Sequence, residues 1–194
     1  MDEITKMVVG AVIAYIVPRA LGGISKPTDS SERSVPWVQW LIASFIGGAL
    51  GGALSGAMGD QGFGNWALYG AAIGIMQWLA LRAYLPVSGW WAVASAVGWA
   101  STPFFAFTPF GGFFVGLAIG ILQIIALKAS GKGWWIGGNA LAWGVAGLLL
   151  PGLAFIIGSI FEFALGWIIG WGSIAAIGAL LLLLPLSRLT PTTE

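Results

Sequence analysis

From Trp37 onward the chain alternates long apolar stretches with isolated polar residues. Between Arg33 and Arg188 the only formal charges are Asp60, Arg82, Lys128, Lys132 and Glu162, which leaves uncharged runs of at least 20 residues. About 20 predominantly apolar residues carry a helix across a bilayer. The pattern therefore predicts an all-α, polytopic integral membrane protein with seven or eight transmembrane helices. The segments read as 36–58 with 63–84, 89–104 with 109–129, and 133–150 with 152–165, followed by a final helix over 167–186. The run from Gly152 to Leu186 would be about 52 Å long as one helix, so it is expected to divide near Gly166.

Two phrases recur along these segments. The first is "WLIASFIGG" from Trp40, "WAVASAVGW" from Trp91 and "WIGGNALAW" from Trp135. Each begins with Trp, places Ser44, Ser95 or Asn139 four residues on, and places Gly47, Gly98 or Ala142 seven residues on. Offsets of four and seven share one face of a helix. A weaker copy starts at Trp171. The second phrase alternates with the first: "GAAIGIMQWLALR" and "GLAIGILQIIALK" hold Gln77 and Gln123 ahead of Arg82 and Lys128. A degraded form, "GLAFIIGSIFEFALG", puts Glu162 near the glutamine position. Each unit is thus a two-helix hairpin, giving repeat 1 over 36–84, repeat 2 over 89–129 and repeat 3 over 133–165. Two helices per unit make every copy enter from the same side, so the repeats are parallel ones about an axis along the membrane normal.

The first 35 residues stand apart. Residues 1–24 hold an apolar stretch, Met7 to Val17, whose acidic start at Asp2 and Glu3 and lack of an A-x-A site argue against a cleaved signal. Either residues 4–21 cross with Lys6 and Arg19 reaching opposite interfaces, or the helix lies in the interface plane. Residues 25–35 form a polar, proline-punctuated linker.

Composition narrows the chemistry. The 194 residues are 58% hydrophobic and 8% charged, with 31 glycines and a mean hydropathy of +0.93, where a soluble domain is about a quarter charged. Without cysteine there is no disulfide, thiolate nucleophile or cysteine-held metal; without histidine there is no imidazole base or histidine ligand to haem. A net charge of +1 with no polybasic run excludes a nucleic-acid surface. Arg19, Lys26, Arg33, Arg82, Lys128 and Lys132 fall where units join, with Asp60 opposite, so the joining loops are expected to be cytoplasmic and the C-terminus outward.

The remaining signals concern packing and depth. Gly48, Gly52 and Gly56, Gly70 and Gly74, and Gly112, Gly116 and Gly120 recur every fourth residue, as helix-packing faces in membranes require. Trp40, Trp91, Trp135 and Trp171 are expected in the interfacial aromatic belt. Gln77, Gln123, Asn139 and Glu162 are the candidate binding residues, because polar groups at membrane depth are costly unless paired or used. Asn139, Ser44 and Ser95 also read as bridges between helices. One carboxylate without a partner does not make an acid–base pair, and no nucleophile–base constellation is present, so the chain reads as non-catalytic.

The alternation "GAAIGIMQWLALR…GWWAVASAVGW", from about Trp37 to Gly144, resembles a loose family of uncharacterised bacterial multi-pass membrane proteins that recur among phototrophic lineages. The resemblance implies the fold and an inner or related internal bacterial membrane; the last unit departs from the motif by losing the cation and carrying Glu in place of Gln. Together these readings favour an accessory subunit of a larger membrane complex, bioenergetic or photosynthetic, in contact with membrane lipids and other subunits. Its ligand would be lipid, quinone, carotenoid or chlorophyll, any chlorophyll being held without histidine. The alternative is a small transporter or channel lined by Gln77, Gln123 and Glu162. A lipid-acting enzyme is the least supported of the three.

Overall fold

The computed structural model describes residues 37–58, 62–105, 108, 110–160 and 163–191. The N-terminal helix, the linker, Asp60 and Glu162 lie outside the described residues. Among the described residues the fold is helical apart from a two-residue strand pairing and an isolated bridge between Val87 and Leu127. Its elements are α1 (Trp37–Met58), α2 (Phe63–Leu81), α3 (Trp90–Ala100), the single turn α4 (Thr102–Phe105), α5 (Gly111–Ala126), β1 (Ala129–Ser130), α6 (Lys132–Ile160), α7 (Phe163–Leu181), α8 (Leu183–Ser187) and β2 (Thr190–Pro191).

The long helices close into a ring. α1 packs on α2 and on α7, α2 on α3, α3 on α5, α5 on α6, and α6 on α7. Three hairpins follow one another around it: α1–α2, α3–α5 and α6–α7. Among the described residues α1 alone is long and apolar enough to cross a membrane by length and composition, while α5 and Ile168–Leu181 are shorter apolar helices.

Glycine sets the spacing of the seams. A Cβ on Gly74 would lie 2.6 Å from Ser95 Cβ, and one on Gly120 would lie 2.9 Å from Ile136 Cα. Gly70 faces Trp99 across α2–α3 as Gly116 faces Trp143 across α5–α6. At the α1–α7 seam the sizes are exchanged, with Gly48 and Gly52 on α1 receiving Ala175 and Trp171 of α7. Gly112 completes the tight set against Trp143, whereas Gly56 is exposed.

The connections between hairpins gather at one end. Lys128 N–H donates to Pro86 O (3.1 Å), Ser88 N–H donates to Ala126 O (3.0 Å), and β1 pairs antiparallel with β2, Ala129 opposite Pro191. Gly131, at φ +81°, makes the turn from β1 into α6, a conformation that only glycine adopts freely. Arg82, Lys128, Lys132 and Arg188, the charged residues among those described, all belong to this end.

Two expectations are corrected by this path. Residues 133–150 and 152–165 are not a hairpin, because α6 runs unbroken from Lys132 to Ile160 through Pro151. A proline without its N–H forgoes one helical bond, and α6 continues past it all the same. The segment 167–186 is therefore not an additional crossing but part of the return arm, α7 with α8. With an even number of arms, the chain comes back to the joining end: Thr190 and Pro191 pair with β1 there, so the described C-terminal strand lies beside the basic loops rather than opposite them.

Candidate functional site

The ring's axis is filled with aromatic side chains. At the basic end Trp40, Trp91 and Trp135 are completely buried; the Trp135 ring centroid lies 6.2 Å from that of Trp40 and 5.3 Å from that of Trp91. Leu81, Leu127, Leu182 and Leu186 pack around them. Further along, Tyr69, Trp99, Trp143 and Trp171 form a second cluster with Trp66 against it, and Trp66 stacks on Trp99 at 6.0 Å.

The belt expectation for Trp40, Trp91, Trp135 and Trp171 is thus corrected: these four are core residues. Their neighbours Trp37, Trp90 and Trp134 are the outward ones, 61%, 65% and 59% exposed. Adjacent residues on a helix point about 100° apart, so in each Trp-Trp pair one ring enters the core and the other leaves it.

Polar side chains complete the inner wall. Gln77 Nε2 donates to Ser44 Oγ (3.1 Å) across α2–α1. Gln123 Nε2 donates to Ser95 Oγ (2.9 Å) across α5–α3, and Gln123 Oε1 accepts from Trp135 Nε1 (3.0 Å) across α5–α6. Ser95 Oγ donates to Trp91 O (2.8 Å), and Asn139 Nδ2 donates to Trp135 O (3.0 Å) within α6. The structure accordingly links Gln123 and Asn139 through Trp135, and places Gln77 on a separate seam. These bonds satisfy buried groups by pairing them with one another; they hold helices in register and expose no proton-transfer group to the axis.

Corresponding positions explain which hairpin carries a glutamine. Ala43 packs with Ala80 in the first hairpin as Gly138 packs on Pro185 in the third. This register sets Leu182 against Gln77 and Gln123. Leu81, Leu127 and Leu186, each four residues further on, are all buried in the axial cluster. At the leucine-bearing place Trp40 Nε1 finds a different acceptor, Ala179 O at 2.9 Å. Ala179 stands in the last turn of α7, where carbonyls lack an intrahelical partner. The second hairpin has no such free carbonyl at this depth, since Gly120 is in the middle of α5, and Gln123 supplies the acceptor. Trp91 Nε1 is buried without a hydrogen bond.

Among the described residues two recesses stand out. One, of about 290 Å³, sits at the end away from the cations, between Trp66, Trp99, Trp143, Thr102 and Thr108. The other, of about 670 Å³, is a groove on the outer face of α6 where it meets the α7–α8 corner. Neither was visible from motif spacing. The signal for the groove was present, because the aligned phrases differ at Ile42, Val93 and Gly137, but a glycine in an apolar helix reads first as packing. Comparison with family models, with curated proteins and with solved structures finds no match to this chain.

Proposed function

We propose that the chain is a polytopic, non-catalytic subunit of a bacterial membrane complex, built from three repeated hairpins that form a scaffold around a sealed aromatic axis. The observation that carries this reading is an inversion of polarity. Ser44, Gln77, Ser95, Gln123 and Asn139 are buried, while Ile42, Ile75, Val97, Phe114, Ile125, Leu141, Leu148 and Leu180 are exposed. In water an apolar face of that extent would drive aggregation; in lipid it is the expected exterior, with polar groups satisfied inside. α1, at about 33 Å, matches the hydrocarbon thickness of about 30 Å. The shorter second hairpin crosses with local thinning of the bilayer or with its flanking residues reaching the interfaces.

An accessory role follows from what the axis contains. Among the described residues Trp, Leu and mutually paired amides fill it without a continuous polar path, and small-residue seams are used within the ring. Partners would meet the outer apolar face. The absence of native cysteine makes the topology directly testable with single-cysteine variants. Cysteines at Ser88 and Ser130 should react with an impermeant maleimide from one side of the membrane, and cysteines at Gly62 and Thr108 from the other. Gentle detergent extraction should then recover the chain in an assembly larger than its own 20.2 kDa. Labelling of Ser88 and Ser130 positions from opposite sides would overturn the hairpin topology, and a clean monomer would overturn the accessory role.

A further inference from the structure

The groove beside α6 combines an apolar recess with cations at one end. Its walls are Trp134, Leu141, Val145, Leu181, Leu184 and Pro185. It exists because Gly137 stands two residues after Trp135, where the other hairpins place Val93 after Trp91 and Ile42 after Trp40, both exposed. A Cβ on Gly137 would meet nothing within 4 Å, so the glycine is not required by packing. From Gly133 to Val145 the groove follows about 18 Å of helix, close to the roughly 15 Å depth of one leaflet's hydrocarbon. Two cations stand at its mouth. Lys132 immediately precedes the first groove residue and is exposed, and the exposed Arg188 guanidinium lies 5.7 Å over the Trp134 ring.

We propose that this groove binds one anionic glycerophospholipid, an acyl chain lying along Gly137 and Leu141 and the phosphate meeting Lys132 and Arg188. The assignment rests on the membrane-embedded reading above and goes beyond it by naming a site and a lipid class. Charge complementarity selects the occupant. An apolar slot surrounded by lipid gains nothing over bulk acyl chains, so retention of a particular lipid depends on the headgroup, and no acidic residue among those described offsets the two cations. The glycine supplies the vacancy, and the cations supply the preference.

The test uses the full-length chain reconstituted with equal phosphatidylglycerol and phosphatidylcholine, extracted gently, and weighed by native mass spectrometry. One phosphatidylglycerol should remain per chain, favoured over phosphatidylcholine by about 25-fold, or about fivefold for each cation. Gly137→Val copies the α3 residue, so it should abolish the adduct and leave thermal unfolding unchanged. Lys132→Gln should reduce phosphatidylglycerol retention about fivefold and leave phosphatidylcholine where it was. A photo-crosslinker at Leu141 should capture a phospholipid. Equal retention of the two lipids, undiminished retention by Gly137→Val, or a crosslink to residues 1–36 or to a second copy would overturn the site while leaving the membrane reading intact. Failure of the chain to insert into liposomes would remove both.

Discussion

The unequal bonding of the two glutamines gives a quantitative prediction. Gln77 makes one interhelical hydrogen bond, its Nε2–H to Ser44, whereas Gln123 both donates to Ser95 and accepts from Trp135. Leucine fits the slot in outline, since Leu182 occupies the corresponding place against the same cluster. Interhelical hydrogen bonds in membranes average about 0.6 kcal/mol. Gln77→Leu should therefore cost about 0.6 kcal/mol, and the Ser44 hydroxyl can turn to a carbonyl one turn back, as Ser95 does. Gln123→Leu loses two such bonds, about 1.2 kcal/mol, and leaves the fully buried Trp135 N–H without an acceptor, a further penalty of about 1–3 kcal/mol. The expected excess of Gln123→Leu over Gln77→Leu is about 1.5–3.5 kcal/mol. It is measured by reversible unfolding in bicelles followed by tryptophan fluorescence. In a Trp135→Phe background there is no indole N–H to strand, and the cost of Gln123→Leu should fall close to that of Gln77→Leu. Equal losses for the two leucine variants in the native background, or a Gln123→Leu cost that Trp135→Phe does not reduce, would refute the reasoning.

Two further perturbations probe the ring. Gly116→Ala sets a methyl against the Asn139 carbonyl, backbone that cannot give way, and should destabilise by about 2–3 kcal/mol. Gly64→Ala, with nothing within 4 Å, should be neutral or stabilise by up to about 1 kcal/mol; comparable losses at both would argue against the seams. Trp135→Ala should cost about 3–5 kcal/mol as a core truncation, while Trp134→Ala, on the exposed ring of the same pair, should stay within about 0.5 kcal/mol. Thermal unfolding of the two variants decides this, and similar midpoints would contradict the inward–outward division of the pair.

The arms of the first two hairpins were legible because their ends are punctuated. Pro86 with Gly89, and Gly131 before Lys132, interrupt the apolar pattern at places where the backbone turns. The third hairpin was misread at Pro151. A proline breaks helices in water, and the pattern of residues does not disclose that α6 continues past it. The direction of each tryptophan was likewise hidden, since the same residue type serves belts and cores. The Trp-Trp pairs at 90–91 and 134–135 held the information only jointly: one ring of each pair had to face inward. The serine bridges were read correctly from their offsets, but their glutamine partners sit on neighbouring helices, and that pairing depends on how the ring closes.

Why three similar hairpins should differ where they do has a physical answer in the same contacts. Two of the three axial indole N–H groups find an acceptor, one from a side chain at mid-helix and one from a backbone carbonyl at a helix end, while that of Trp91 has none. The second hairpin uses Gln123 because α5 runs on past that depth to Ala126. The third uses Ala179 O because α7 stops at Leu181. Ending the helix there also turns the chain into α8, which brings Pro185 onto Gly138 and forms the corner that walls the groove. The stop of α7 and the α8 corner thus supply one wall of the outer recess, and Gly137 on α6 leaves the space beside it.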